Sequence, residues 1–194
     1  MATRAEQIAW ETSLPRAQER AAREGKAVLL DFSAAPECRG CVAMDTVTYP
    51  DQRVAHFITG HFIPARVRVK ENPQPAEDYL VSWTPNVVIA DDRGKVHYRV
   101  EGYLPPEEFV ARLSLGIGKY WLDRKQFAPA KERFDEVARR HPETDAGAEA
   151  LYWLGVAQYM LSHDPAQLRP SWQKLAQEYP DSEWTKRTHI PSAS

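Results

Sequence analysis

The chain has 194 residues and two cysteines, and both cysteines lie within the stretch Cys38-Arg39-Gly40-Cys41. This stretch closely follows residues 27–32, an apolar run that predicts a buried strand, and it precedes apolar residues with the spacing of a helix. A Cys-x-x-Cys pair at a strand-to-helix junction restricts the fold, because both thiols must lie where the strand ends and the helix begins. We therefore expect a redox site around which the first part of the chain is organised.

The position of Cys38 at the start of a helix predicts an activated thiol. Free N–H groups and the helix macrodipole stabilise an anion there, so Cys38 should ionise more easily than an ordinary cysteine. Cys41 lies one turn further on and would be close enough to attack a mixed disulfide and release the product. The pair therefore predicts thiol–disulfide exchange with Cys38 as the nucleophile and Cys41 as the resolving thiol.

Two other interpretations of the cysteines exist. They could be unrelated core residues, since free cysteine is commonly buried. They could also bind zinc together with His56 and His61, whose spacing is close to that of a Cys2His2 site. Gly60 interrupts the segment between the two histidines, and a zinc finger would need both on one helix. The redox interpretation is therefore favoured over both alternatives.

Overall charge and hydropathy exclude several classes of protein. The formal net charge of −2 provides no basic surface for nucleic acid or for an anionic membrane. No apolar run is long enough to predict a membrane span. The N-terminal residues 1–7 lack the apolar core of an export signal, so we expect a cytoplasmic protein, with a leader removed beforehand as the alternative.

The first part of the chain alternates between helical and strand signals. The predicted elements are, in order, a helix over 5–24 ended by Gly25, a strand over 27–32, the helix after the cysteines, a helix over 51–58 ended by Gly60, a strand over 62–70, a helix over 73–81, strands over 86–90 and 95–100 joined by a turn, and a helix starting near Glu107. Strands separated by helices and followed by one hairpin predict an α/β fold, with a mixed sheet flanked by helices on both faces.

Strand signals end near residue 115, which predicts a domain over 1–115 followed by an all-α domain over 116–194. Within the second domain, Phe134 and Trp172 each stand eight positions before a proline, and 38 positions separate them. That shift is close to the length of a helix-turn-helix repeat with a short insertion. An apolar stripe in this domain comprises Trp153, Val156, Ala157 and Met160. We interpret it as part of the core, and the alternative is an aromatic groove that binds a ligand.

Residues 1–115 resemble the thioredoxin superfamily, most closely the bacterial thioredoxin-like domains that open with an extra N-terminal helix. Three features carry the resemblance: the acid Asp31 on the strand before the cysteines, the Cys-x-x-Cys motif, and Thr84-Pro85 before an apolar strand with Gly102 further on. The remaining part of the chain resembles tetratricopeptide repeats, on two imperfect units.

The resemblance implies roles for the buried acid and its neighbours. Asp31 would accept the proton of Cys41, with a pKa raised by burial. The alternative is an acid that merely tolerates burial through hydrogen bonds. Arg66 stands where thioredoxins often carry a lysine near this acid.

The resemblance also implies a substrate groove. Pro85 would be a cis-proline that faces the disulfide, and Thr84 would offer backbone hydrogen bonds to an extended peptide. An ordinary trans proline in a turn is the alternative. Trp83 and Arg39 complete the predicted substrate-binding residues.

The sequence departs from the family pattern around the first cysteine. Glu37, preceded by Pro36, stands where the family commonly has tryptophan, and no proline precedes the second cysteine. Arg39 should favour the Cys38 thiolate, whereas Glu37 should oppose it, and each effect amounts to a few kcal/mol at most. The sequence therefore predicts neither the redox direction nor the potential.

The functional hypothesis is a protein thiol–disulfide oxidoreductase that needs no cofactor beyond a redox-active Cys38–Cys41 disulfide. Its partners would be a protein substrate or a redox partner, and the helical tail could bind a partner or client. The rival hypothesis is a protein-binding scaffold whose dithiol is silent or regulatory, favoured by Glu37 in place of an aromatic residue. A zinc-binding module is the lesser alternative.

Overall fold

A four-stranded mixed sheet forms the centre of the first part of the chain in the computed structural model, which describes residues 7–189. The strand order is β2-β1-β3-β4, with β1 parallel to β2 and antiparallel to β3, and β3 antiparallel to β4. The strands are β1 (Ala27–Ser33), β2 (Phe62–Arg68), β3 (Asn86–Ala90) and β4 (Val96–Glu101). This mixed sheet confirms the predicted α/β fold.

Five α-helices and one π-helical segment accompany the sheet. They are α1 (Leu14–Glu24), α2 (Arg39–Ala43), the π-helix (Met44–Thr48), α3 (Gln52–His61), α4 (Gln74–Asp78) and α5 (Pro106–Asp123). Every residue of β1 is buried, as expected for a central strand covered on both faces. The order of helices and strands is the one predicted from the sequence.

The helix predicted over 5–24 is wrong in its first half. The described part of that half, from residue 7 onward, is not helical, and Glu11 pairs with β2: its N–H donates to Pro64 O at 2.9 Å. The helix begins only at Leu14, after the N-cap Ser13. Pro15 explains this start, since proline fits the first turn of a helix but lacks the N–H needed further in. Residues 5 and 6 lie outside the described residues.

Two other predicted helix ends are also wrong. Gly60 does not end α3, because one glycine in an exposed helix weakens it by only about 1 kcal/mol. The helix instead ends where Phe62 turns into the extended conformation and starts β2. The helix predicted over 73–81 ends early, since Leu80 takes a left-handed conformation with φ of 54°.

The chain divides between Val110 and Ala111 into two compact units. The boundary predicted after residue 115 stays a prediction, because α5 runs through both positions without a break. The second unit is all-α in its described part, as predicted. It contains α6 (Phe127–Arg140), α7 (Asp145–Ser162), a 3₁₀ turn (Pro165–Leu168), α8 (Arg169–Glu178) and α9 (Glu183–Thr188). In the described residues, no helix is both long and apolar enough to span a membrane.

A glycine facing an aromatic ring recurs in the second unit and gives the predicted repeat its physical basis. Gly118 on α5 lies against the ring of Phe134 on α6, and Gly155 on α7 lies against Trp172 on α8. In both places a methyl group on the glycine would overlap the ring, so the absent side chain lets two helices approach closely. Of the stripe interpreted as core, Ala157 is fully buried, and the other three residues are half-buried.

Candidate redox site

The two cysteines form a disulfide at the N-terminus of α2, with their Cα atoms 5.2 Å apart. Cys38 is the N-cap residue, and its Sγ accepts a hydrogen bond of 3.1 Å from the N–H of Cys41. Cys38 is half-buried, whereas Cys41 is buried, and the Ala34 N–H donates to Cys41 Sγ at 3.4 Å. One sulfur is therefore reachable from solvent, and helix-terminal amides are positioned to stabilise it as an anion.

The loop before β3 packs against the disulfide. The Thr84–Pro85 peptide bond is cis, and Cys38 Sγ lies 3.4 Å from Thr84 O. The N–H of Gly102 donates to Pro85 O at 2.8 Å and joins this loop to the end of β4. Gly40 is required by this arrangement, because a Cβ atom there would lie 2.9 Å from Pro85 Cδ.

An open cleft of about 610 Å³ contains the exposed side of the disulfide. Trp83 and Tyr103 are the large aromatic residues on its wall, and 69% of Trp83 is exposed. Exposed aromatic surface beside a reactive group is typical of an interaction site. Five of the seven predicted site residues thus line one cleft, and a sixth, Cys41, is buried next to it as the disulfide partner of Cys38; the five are Cys38, Arg39, Trp83, Thr84 and Pro85.

The charges at the mouth of the cleft are not equivalent. Glu37 forms an ion pair of 2.9 Å with Lys70, and the hydrogen bond from Lys70 lowers the pKa of Glu37. Arg39 is exposed and forms no ion pair with any residue in the range 7–189. Lys70 therefore offsets the charge of Glu37. The destabilising effect of Glu37 on the Cys38 thiolate is weakened, and the stabilising effect of Arg39 is left less opposed.

The seventh predicted residue, Asp31, is buried in β1 and does not line the cleft. Its Oδ2 accepts a hydrogen bond of 2.7 Å from Arg66 Nε on the neighbouring strand β2. Burial raises the pKa of Asp31 above the usual value, and the charge of Arg66 opposes part of that rise. A buried carboxyl with a raised pKa holds a proton to a higher pH than an exposed carboxyl does.

Sequence reasoning missed the residues that hold Arg66. Arg66 Nη1 contacts Asp45 Oδ1 at 2.9 Å, and the guanidinium lies over the rings of Trp10 and Tyr49, at 4.4 and 5.1 Å from their centroids. Trp10 was missed because it was placed on a helix, although Ser13 and Pro15 already signal that the helix starts later. Asp45 and Tyr49 carried no recognisable motif.

The described residues give no support to a zinc-binding module. No three histidine, cysteine or acidic side chains in that part of the chain gather closely enough to hold a metal ion. His56 and His61 lie on α3, where His61 stacks on Phe57, and both cysteines are engaged with each other.

Fold and site together define a protein with a disulfide at the N-terminus of a helix that packs on a mixed sheet. A sequence profile described as a thioredoxin-like domain matches residues 14–116. Because this match covers more than half of the chain, the chain belongs to the thioredoxin-like domain family. A tetratricopeptide repeat profile matches residues 149–182, which include α8 and most of α7.

Two solved structures with the same fold are described as an oxidoreductase and as a putative disulphide-isomerase. A structure described as DsbH oxidoreductase is 20% identical over 60% of this chain and 91% of its own, with a TM-score of 0.54. A putative disulphide-isomerase from Bacteroides thetaiotaomicron is 26% identical over 59% of this chain and 97% of its own, with a TM-score of 0.52. No curated protein matches the chain.

Proposed function

We propose that this protein is a protein thiol–disulfide oxidoreductase in which Cys38 attacks and Cys41 resolves. The observation that carries the proposal is the geometry of the pair: a half-buried sulfur at a helix N-terminus, in an open cleft, with its buried partner 5.2 Å away between Cα atoms. Similarity to a structure described as a putative disulphide-isomerase supports the same chemistry.

In the reducing direction, the Cys38 thiolate attacks a client disulfide and forms a mixed disulfide, while one client sulfur leaves as a thiolate and takes up a proton. Cys41 then gives its proton to Asp31 and attacks Cys38 Sγ, which breaks the mixed disulfide and releases the second client thiolate. The client gains two electrons, and the protein dithiol becomes the Cys38–Cys41 disulfide. The reverse sequence oxidises a client, so the pair alone serves as the redox cofactor.

The client would be an extended polypeptide in the cleft. The Thr84 carbonyl, 3.4 Å from Cys38 Sγ, would accept a backbone hydrogen bond from the client, as in the addition of a strand. Trp83 would contact apolar client side chains, and Arg39 would attract acidic ones. We propose no contact with nucleic acid or membrane, and the cytoplasmic location predicted from the sequence remains part of the proposal.

Insulin reduction by dithiothreitol tests the proposal. Wild-type protein should accelerate insulin precipitation, and Cys38→Ser should lower the rate to that of dithiothreitol alone. Cys41→Ser should instead accumulate a mixed disulfide with the client, seen as a covalent adduct by non-reducing electrophoresis. Equal rates for the wild type and Cys38→Ser would exclude the enzymatic role.

A scaffold that binds partners through the helical tail is the second candidate, and the tetratricopeptide repeat match over 149–182 favours it. In a scaffold, substitution of Cys38 would leave partner capture intact. Capture of clients by Cys41→Ser but not by Cys38→Ser, under identical conditions, would support the oxidoreductase and count against a silent dithiol.

A further inference from the structure

A single arginine contacts two carboxylates in the first unit. Arg66 donates from Nε to Asp31 at 2.7 Å and contacts Asp45 through Nη1 at 2.9 Å. The Asp31 side chain is 2% exposed and that of Asp45 is 28% exposed, so the pair joins a buried acid to an acid near the surface. Two negative charges therefore share one positive charge.

The guanidinium of Arg66 is held in this shared position by aromatic walls. The guanidinium carbon of Arg66 lies 4.4 Å from the ring centroid of Trp10, in the N-terminal segment. It lies 5.1 Å from the ring centroid of Tyr49, which directly follows the π-helix. Such cation–π contacts on a side chain that is only 14% exposed restrict rotation of the guanidinium. The Arg66 guanidinium therefore faces both carboxylates at once.

We propose that Asp45 is a positioning residue for proton transfer at Cys41, because it draws part of the Arg66 charge away from Asp31 and so keeps Asp31 able to accept the proton. The inference rests on the proposed function, in which the Cys41 proton passes to the Asp31 carboxylate as Cys41 Sγ bonds to Cys38 Sγ. Asp45 itself touches neither sulfur nor substrate in this scheme.

The charged and titratable groups that face Asp31 act on its pKa in opposite directions, and Asp45 is the charged group that raises it. Arg66 on β2 lowers the pKa of Asp31, and the like charge of Asp45 in the π-helix raises it. The buried Tyr49 hydroxyl also faces Asp31 and, like Arg66, lowers the pKa of that carboxyl. Burial and the Asp31 charge raise the pKa of Tyr49 well above its usual value, so it stays neutral. The β3 residue paired with Asp31 is the apolar Val87.

Asp45→Asn tests the inference with a direct readout of Asp31. The carboxyl signal of Asp31 is followed by carbon-13 NMR in the reduced protein over a pH series and is assigned by its loss in Asp31→Asn. Asp45→Asn should move the titration midpoint down by about one pH unit, as expected when a like charge that shares the same arginine is removed. Asp45→Glu should largely restore the midpoint. Asp135→Asn, which removes an exposed carboxylate paired with Arg139 in the second unit, should leave it unchanged.

A kinetic readout tests whether the effect passes through Asp31. The mixed disulfide between Cys38 and a small aromatic thiol is prepared, and its release by Cys41 is timed at pH 7. Asp45→Asn should slow release about threefold, because a weaker base accepts the proton less readily. In the Asp31→Asn background, Asp45→Asn should have no further effect. Asp45→Ser is the second variant that removes the charge, should the amide prove disruptive to folding.

Three results would overturn the inference: an unchanged Asp31 midpoint in Asp45→Asn, an upward shift, or equal slowing of release in the Asp31→Asn background. Failure of the proposed function would give a different combination of results from failure of this inference. A wild-type protein that does not reduce insulin, yet whose Asp31 midpoint still falls in Asp45→Asn, would refute the oxidoreductase and retain the electrostatic coupling.

Discussion

Each of the two units contains a buried acid that shares an arginine with a second acid. In the first unit, Arg66 joins Asp31 to Asp45. In the second, Arg112 contacts Glu149 at 2.9 Å and Asp145 at 3.7 Å. Burial raises the pKa of Glu149, as it does that of Asp31, and each arginine opposes the rise. Charge arrangement alone therefore does not distinguish the two clusters.

Their surroundings do distinguish them. Glu149 accepts a second hydrogen bond, of 3.2 Å, from Trp153 Nε1, and Lys119 lies over the Trp153 ring at 3.2 Å from its centroid. Asp31 accepts its short side-chain hydrogen bond from Arg66, with the Tyr49 hydroxyl also facing it, and it lies on the strand that leads to the dithiol. A perturbed pKa is thus an indication of function only where a reactive group can use it.

The largest expected difference follows removal of the two arginines. Arg66→Met leaves Asp31 buried without its hydrogen-bond donor and should destabilise the first unit by about 3 kcal/mol. Arg112→Met leaves Glu149 bonded to Trp153, and the loss should be about 1 kcal/mol. Urea unfolding followed by circular dichroism measures both changes. Equal losses of stability would mean that the surroundings of Asp31 and Glu149 stabilise the two acids equally, which would contradict the difference between the two clusters.

Glycine substitutions sharpen the comparison of how the two units are packed. Gly155→Ala would place a Cβ atom 2.8 Å from Trp172 Nε1 and should destabilise the second unit by about 2 kcal/mol. Gly60→Ala in the first unit meets no atom within 4 Å and should stabilise α3 by about 0.5 kcal/mol. Thermal unfolding of both variants measures whether each substitution raises or lowers the melting temperature. Stabilisation by Gly155→Ala would contradict the close helix approach.

The smallest effect is the pH dependence of stability that each buried acid contributes. Because burial raises the pKa of Asp31 in the folded state, the folded protein binds the proton more tightly than the unfolded chain does. Wild type should therefore lose stability relative to Asp31→Asn as the pH rises from about 4 through the raised pKa.

Urea midpoints at several pH values measure this difference, and Glu149→Gln provides the matched case in the second unit. The raised pKa of Glu149 predicts the same sign there. A difference that grows toward low pH in either pair would mean that the acid is favoured in its charged form and that its pKa is lowered.

Local patterns sufficed for much of the fold. The apolar run before Cys38, the turn before β4 and the loss of strand signals near residue 115 predict the order of elements, because each follows from neighbouring residues. The 38-residue shift between Phe134 and Trp172 likewise indicated the helical repeat, and each of these two rings packs against a glycine of the preceding helix. The fold class and the family resemblance are confirmed by the sheet topology and by the matching sequence profile.

What the sequence could not reveal depends on contacts between distant residues. Trp10, Asp45 and Arg66 meet only because the N-terminal segment pairs with β2 and the helix after the cysteines continues as a π-helix. The balance between Glu37 and Lys70 likewise joins positions 33 residues apart in sequence. The periodicity of apolar residues does not predict contacts between residues that are distant in sequence. Ser13 and Pro15, in contrast, are local signals that mark the start of the first helix.

The pairing of Glu11 with β2 has a consequence for how the chain tolerates shortening. An unprotected edge strand is a template to which other polypeptides can add as further strands. In this protein the N-terminal segment covers part of the edge strand β2. Proteolysis just before Ser13 would remove this cover and strip the indole of Trp10 from Arg66 in the same event. Loss of a few residues would then promote aggregation and disturb the dithiol chemistry together.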